Sequence, residues 1–202
     1  MSDAAAQASD RAPSGEQTRT RLLDIALDLF TEKGFDATTL QEIADHLGVT
    51  KAALYYHFRS KTEILDAILE IGHRRGDELL DEAERQQPHS ARIAHVVDGM
   101  IELAIQQRRT TSILNHDPAL ARNVTFVAQS AVRRSRLQRI IYGSNPSPAQ
   151  RTAFQLASCI GDAVAKLDDL TDNQLRETLP AVVHRTLGLR RPNTPPAGRP
   201  RR

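Results

Sequence analysis

The sequence contains a single cysteine, Cys159, among 202 residues, and it contains no tryptophan. One thiol excludes an internal disulfide framework and a cysteine-rich zinc site, and it is typical of proteins from a reducing compartment. No apolar run is long enough to cross a bilayer, and the polar first residues do not resemble a secretion signal. We therefore expect a cytoplasmic protein without a membrane partner.

Motifs that carry catalysis are also missing. The sequence has no Gly-rich phosphate loop, no H-E-x-x-H pair and no G-x-S-x-G nucleophile turn. Its histidines are scattered along the chain and are not spaced as ligands on one face of a helix. We predict that the protein is not an enzyme and that it holds no metal ion or cofactor.

The sequence lacks a large excess of charge of either sign. Its 27 Lys and Arg nearly balance 25 Asp and Glu, which gives a formal net charge of +2. Residues 1–61 carry more acidic than basic side chains, so the part of the chain predicted to bind DNA is not basic overall. Much of the positive excess comes from a Pro-rich segment at the end of the sequence. This composition is typical of disorder, which we predict for residues 189–202 and for the polar residues 1–15.

Two short helices joined by a glycine turn are predicted within residues 38–61. In the first helix, apolar residues recur at i, i+3, i+4 and i+7, which gives it one face for burial. Thr39 and Glu42 have the spacing of a capping box that begins this helix. Gly48 ends it, and Thr50 is placed to cap the second helix. The turn is about three residues long, as in a helix-turn-helix.

The second helix indicates what this pair of helices binds. Leu54 and Phe58 mark its core face, whereas Ala52, Tyr55 and Tyr56 share the opposite face. Tyrosines that point away from a core need a partner, and the first turn of a recognition helix reaches base edges in the major groove. Double-stranded DNA is therefore the predicted partner. The alternative is a helical hairpin whose tyrosines contact another protein.

This part of the chain resembles the tetracycline-repressor (TetR) family of transcriptional regulators. The resemblance rests on K-G-F at 33–35, T-T-x-x-x-I-A-x-x-x-G-V-T at 38–50 and L-Y-Y-H-F-x-S-K at 54–61, and it covers roughly residues 18–70. It implies that the following positions contact DNA: Thr39, Gln41, Thr50, Lys51, Ala52, Tyr55, Tyr56, His57 and Lys61.

Helical spacing of apolar residues continues through the rest of the chain, and no segment alternates as a strand does. The predicted fold is all-α with about nine helices. A three-helix DNA-binding domain at 16–61 precedes a helical ligand-binding and dimerisation domain at 62–188, which opens with a connecting helix at 62–86. Gly72 and Gly76 lie one turn apart in that helix. They either let a neighbouring helix come close or form a soft point that transmits ligand-driven motion.

A predicted helix at 149–167 carries a small side chain at every fourth position from Ala149 to Ala165. Such a ridge permits close packing of another helix, which in a monomer would be ordinary core. In the TetR family the last two helices pair with their copies in a second subunit, so the resemblance implies a homodimer and a palindromic DNA site. The residues predicted at this interface are Ala153, Ala157, Gly161, Val164, Leu179 and Val183.

A ligand pocket is expected within the second domain, and each candidate for its lining also has a plainer interpretation as core, helix end or solvated face. Cys159 lies among apolar residues without an adjacent basic side chain, so we predict a buried, inert thiol. The scarcity of aromatic residues favours an aliphatic or modest-sized ligand. The candidates are Met100, Asn115, His116, Phe126, Gln129, Arg133, Phe154 and Cys159.

These expectations describe a homodimeric repressor that binds a palindromic operator and is released when a small molecule occupies its C-terminal domain. The alternatives are a helical interaction module that does not bind DNA and a regulator that responds to no small molecule. Sequence-selective binding to duplex DNA separates the first alternative from the repressor.

Overall fold

The structure, a computed structural model, describes residues 15–116 and 124–189, with the side chains of 124–128 left out. The predicted disordered tails, apart from residues 15 and 189, and the side chain of Phe126 lie outside this description. Every regular element in the described ranges is an α-helix. The helices are α1 (Gly15–Lys33), α2 (Leu40–Leu47), α3 (Lys51–His57), α4 (Lys61–Arg85), α5 (His89–Gln106), α6 (Arg108–His116), α7 (Val124–Tyr142), α8 (Pro148–Ala157), α9 (Ile160–Ala165) and α10 (Asp172–Thr186).

The prediction of an all-α fold with about nine helices is confirmed, with one predicted helix interrupted. Helices α8 and α9 occupy the segment predicted as a single helix at 149–167, and only Ser158 and Cys159 separate them. The Ser158 hydroxyl donates a hydrogen bond to the carbonyl oxygen of Phe154 at 2.8 Å. Serine bonding of this kind, back to the preceding turn, competes with the backbone ladder and bends helices.

The first compact unit runs to Ala67 and contains α1, α2, α3 and the start of α4. Its core consists of apolar side chains that are almost fully buried, because the amphipathic faces of these helices meet there. Thr38, in the connection between α1 and α2, is also buried, and its hydroxyl lies 3.2 Å from the Leu29 carbonyl oxygen and 2.9 Å from that of Gly34. This buried polar group is therefore satisfied.

The second compact unit begins at Ile68, within α4. Helix α5 is central to it and packs against α7, α9 and α10, while α6 packs against α9 and α10 against α8. Apolar side chains from α4, α5, α7, α8, α9 and α10 form one buried cluster. The predicted boundary at 61/62 lies at the start of α4. The two compact units divide further along this helix, between Ala67 and Ile68.

The glycines of α4 lie where other side chains come close. A Cβ atom added to Gly72 would lie 2.9 Å from the side chain of Gln107, and one added to Gly76 would lie 3.4 Å from Cδ of Arg133. The Gln107 amide also donates a hydrogen bond to the Gly72 carbonyl oxygen at 3.4 Å. Close approach accounts for Gly72, whereas the distance at Gly76 is an ordinary van der Waals contact, and transmission of motion through these glycines stays a prediction.

Candidate nucleic-acid interface

The turn between α2 and α3 is built by the caps that the sequence predicts. Thr39 Oγ1 accepts a hydrogen bond from the Glu42 amide at 3.2 Å, and Glu42 Oε2 accepts one from the Thr39 amide at 2.8 Å, which completes the capping box. Gly48 has a φ of 74°, and its amide bonds to the carbonyl oxygens at the end of α2. A left-handed residue at this position favours glycine. Thr50 Oγ1 then accepts from the Ala53 amide at 3.2 Å and fixes the start of α3.

Helix α3 divides into a buried face and an exposed face. The side chain of Leu54 is 0% exposed and that of Phe58, the C-cap, is 4% exposed, which anchors the helix on the core. Tyr55 is 43% exposed and Tyr56 is 87% exposed. Large aromatic residues are seldom left in water to this extent without a binding role, because burying them is strongly favourable.

The exposed face of α3 combines cationic, aromatic and small side chains. Lys51 and Ala52 are exposed at its first turn. The Lys51 ammonium lies 5.8 Å from the centre of the Tyr55 ring, and the rings of Tyr56 and His57 meet edge to face at 5.3 Å. A lysine and phenolic hydroxyls are suited to phosphate oxygens, and a small residue lets the helix approach base edges.

Two of the predicted contact residues on α2 are exposed, and both also make bonds within the protein. Gln41 donates a hydrogen bond to Asp45 Oδ1 at 2.7 Å. Thr39 is committed to the capping box through its backbone and its hydroxyl. Their role at DNA stays a prediction, because either would have to share or exchange these bonds.

Lys61 has a structural role that the sequence analysis missed. Its ammonium donates to the carbonyl oxygens of Phe35 at 2.7 Å and Asp36 at 3.0 Å, and it lies 4.8 Å from the centre of the Phe35 ring. The side chain thereby ties the start of α4 to the connection after α1. Its contact with DNA stays a prediction, because two of the donors of this ammonium are directed at the protein.

Glu42 is held in its charged form. The hydrogen bond from Lys33, at 3.0 Å, followed by those from Thr39, lowers the pKa of Glu42 to about 2. A carboxylate at the first turn of α2 also interacts favourably with the helix dipole. On α3 itself, the cation at the first turn is Lys51, which is exposed.

A cavity of about 370 Å³ lies within the second unit. Of the eight predicted ligand-binding residues, Met100, Arg133 and Phe154 line it. Asn115, His116, Gln129 and Cys159 are exposed instead. The remaining candidate, Phe126, lies outside the described side chains. Lining residues that the sequence analysis did not identify include Gly72, His73, Leu103, Gln107 and Leu137.

The prediction of a buried Cys159 is wrong, since this thiol is exposed. It lies in the turn between α8 and α9, where the helix is interrupted, so the periodicity of a continuous helix placed it on the wrong side. Its Sγ lies 3.6 Å from the carbonyl oxygen of Gln155.

The residues predicted at the dimer interface fall into three groups. Val164 and Leu179 are buried within the core of the unit, so their place at a subunit interface stays a prediction that the single chain does not support. Ala157, Gly161 and Val183 line the cavity, and Ala153 is half-buried. Two large apolar side chains on the same helices are exposed, Leu156 at 65% on α8 and Val182 at 58% on α10.

Among the residues that the structure describes, no helix is long and apolar enough to cross a membrane. Within the same ranges, no group of three or more His, Cys, Asp or Glu side chains is arranged to hold a metal ion.

Comparisons with known proteins agree with this geometry. The family of bacterial regulatory proteins named tetR matches residues 22–68. The HTH-type transcriptional regulator SrpR of Pseudomonas putida is 45% identical over 58 residues, which are 29% of this chain and 27% of SrpR. Alignments with the first curated relatives span about a quarter to a half of the lengths of those proteins.

The fold is similar over a longer stretch. The TetR family regulator PfmR from Thermus thermophilus superimposes with a TM-score of 0.68 at 20% identity, over 84% of this chain and 98% of PfmR. AibR, solved in complex with isovaleryl coenzyme A and operator DNA, superimposes with a TM-score of 0.63 at 22% identity, over 83% of this chain and 97% of AibR.

An all-helical chain that begins with a capped helix-turn-helix has an architecture typical of helix-turn-helix transcriptional regulators. The matched family residues, 22–68, contain the whole of α2 and α3 and the turn between them. Residues 22–68 therefore form a region of the tetR family of bacterial regulatory proteins.

Proposed function

We propose that this regulator is a homodimeric repressor that binds a palindromic operator through α3 and is released when a small molecule occupies the cavity of its second unit. The observation that carries the DNA-binding part is the exposed face of α3. Tyr56 is 87% exposed beside Lys51 and Ala52, while Leu54 on the opposite face is fully buried. The helix is thus fixed on its scaffold and presents its polar face outward.

Dimerisation is supported by the exposed apolar side chains of α8 and α10. Leu156 and Val182 are large, apolar and mostly exposed in the single chain. A two-fold axis near these helices would bury Leu156 and Val182 of each subunit, and the dimer would then carry two recognition helices. Two such helices, one helical turn of DNA apart or a multiple of it, read a palindromic site.

Ligand control is supported by the cavity and by the helix that borders it. A volume of about 370 Å³ falls within the range of small-molecule sites. Gly72, His73, Gly76 and Leu80 of α4 line the cavity, and the same helix begins in the N-terminal unit. A ligand that prefers one position of α4 would shift the population between DNA-competent and incompetent forms. AibR, which has a similar fold, was solved in complex with both isovaleryl coenzyme A and operator DNA, so a protein of this fold can hold a small molecule and DNA.

The DNA-binding proposal is tested by selecting bound duplexes from a random library with the full chain at near-physiological salt. We expect enrichment of a site with two-fold symmetry, with two protomers bound for each duplex in sedimentation experiments. A folded, dimeric protein that enriches no sequence would contradict the proposal. That result would instead favour a helical interaction module, in which Tyr55 and Tyr56 contact another protein.

A further inference from the structure

The cavity of the second unit is apolar over most of its wall and polar beside one turn of α4. Apolar side chains from α5, α7, α8 and α10 supply most of the lining, among them Met100, Ile141 and Phe154. Polar side chains gather near Gly72 and Gly76. The distances from these glycines place the Gln107 amide and Cδ of Arg133 against this turn of the helix.

Arg133 is the principal charged group at the polar side. Its side chain is 16% exposed, and Nη1 lies 3.1 Å from Asp77 Oδ2. Its other terminal nitrogen, Nη2, is buried and donates no hydrogen bond to any residue that the structure describes. A guanidinium presents its donors as a fork that fits the two oxygens of a carboxylate, so one arm of this fork is still available to an acceptor.

The side chains around Arg133 favour a negatively charged group as the acceptor of the hydrogen bond from Nη2. Burial, followed by the charge of Arg133, lowers the pKa of His73 from its usual value, which favours the neutral ring. Arg134 also lines the cavity, and the acidic lining residue is Asp162 on α9, which is exposed. A negative group at Nη2 would therefore meet a guanidinium whose other arm is paired with Asp77, beside an imidazole for which the neutral form is favoured.

We infer that the effector is a small amphiphile whose carboxylate binds Arg133 and whose aliphatic part packs against Met100, Ile141 and Phe154. The inference rests on the proposed ligand control and specifies the chemistry of the ligand. A carboxylate supplies the acceptor that Nη2 lacks, and leaving a buried donor unpaired is costly. The apolar wall supplies the rest of the affinity by removing hydrocarbon from water.

The test uses the full chain and a matched panel of probes, straight-chain carboxylates of about four to twelve carbons and the primary alcohols of the same lengths. Binding is measured by titration calorimetry at pH 7.5. A charge-assisted hydrogen bond predicts that at least one carboxylate binds about tenfold or more tightly than its alcohol. Equal affinity within each pair, or no binding by any carboxylate, would overturn the inference without the need for a variant.

Two variants localise the effect. Arg133→Gln should weaken the best carboxylate about tenfold or more and leave the matched alcohol within about twofold. Arg139→Gln removes the same charge from an exposed position of α7 that does not line the cavity, and it should change neither affinity. If Arg133→Gln weakens both probes equally, its role is structural and the inference is wrong.

Operator binding is measured separately on the same preparations. If no carboxylate is preferred over its alcohol but the protein still binds the selected duplex, only this inference is overturned. If the protein shows no sequence-selective DNA binding, the proposed function is overturned. A carboxylate that binds through Arg133 and does not release the selected duplex would support the site and contradict ligand-driven release.

Discussion

Replacement of Lys61 by methionine should destabilise the N-terminal unit, although this lysine belongs to a motif associated with DNA contact. Methionine keeps most of the aliphatic stem and removes the ammonium, which donates to the carbonyl oxygens of Phe35 and Asp36. Hydrogen bonds from charged donors contribute about 1.5–3 kcal/mol each. The lower end of this range gives about 3 kcal/mol for the two bonds, and because the bond to Asp36 is exposed we expect a loss of about 2–3 kcal/mol in the free energy of unfolding.

Lys51→Met is the matched control. Lys51 is exposed, so its replacement should change the free energy of unfolding by less than about 0.5 kcal/mol. Amide hydrogen exchange separates the two units, because protection is read residue by residue. We expect faster exchange throughout α1 to α3 in Lys61→Met and unchanged exchange in Lys51→Met.

The salt dependence of binding to a selected duplex gives an independent measurement of the same two variants. Lys51→Met should reduce the slope of log affinity against log salt by about one for each protomer, because one phosphate contact is lost. Lys61→Met should leave that slope unchanged. If Lys61→Met keeps full exchange protection and lowers the slope as Lys51→Met does, then Lys61 contacts phosphate and our reasoning is refuted.

Three further predictions concern a cap, a carboxylate and the dimer. Thr50→Ala should cost about 1 kcal/mol of stability by removing the cap of α3, as measured by urea unfolding, and an unchanged midpoint would contradict it. The hydrogen bond from Lys33 is the main cause that lowers the pKa of Glu42 from 4.5 to about 2. The ionised Glu42 should therefore stabilise the fold fully above pH 4.5, and this stabilisation should fade as the pH approaches 2. Glu42→Gln should flatten that part of the thermal stability profile, and a profile identical to wild type would argue against the assigned pairing. Leu156→Lys together with Val182→Glu should yield folded monomers in sedimentation experiments, and persistent dimers would place the interface elsewhere.

The helix-turn-helix could be predicted in detail because its signals are local. The capping box of Thr39 and Glu42, the left-handed Gly48 and the cap at Thr50 each involve residues no more than a few positions apart. Helical periodicity then separated Leu54 from the exposed tyrosines correctly. Local backbone chemistry of this kind can be inferred from one sequence because few other residues influence it.

The role of Lys61 could not be predicted in this way. Its acceptors at Phe35 and Asp36 are 26 and 25 positions away along the chain, so no local pattern identifies them. The cavity presents the same difficulty. His73 and Arg133 come from helices far apart in sequence, and only the packing of those helices brings them to one wall.

Interface residues are hard to predict from the sequence for a different reason. A ridge of small side chains shows that another helix packs closely, but it does not show whether that helix belongs to the same chain. In this fold, Val164 and Leu179 face the core of their own unit, and Leu156 and Val182 face outward. The turn at Ser158 and Cys159 also ends the regular spacing on which the prediction depended.

The measurement that tests the central claim most directly is the affinity of the selected duplex for wild type and for Tyr56→Ala at near-physiological salt. Val132→Ala serves as the control, since this residue is also exposed and apolar but lies on α7. If α3 reads DNA, loss of one hydrogen bond and a ring contact in each of two protomers should weaken binding by about 1–3 kcal/mol, while Val132→Ala and the stability of both variants stay unchanged. Equal affinity of Tyr56→Ala and wild type for the selected duplex would contradict the claim.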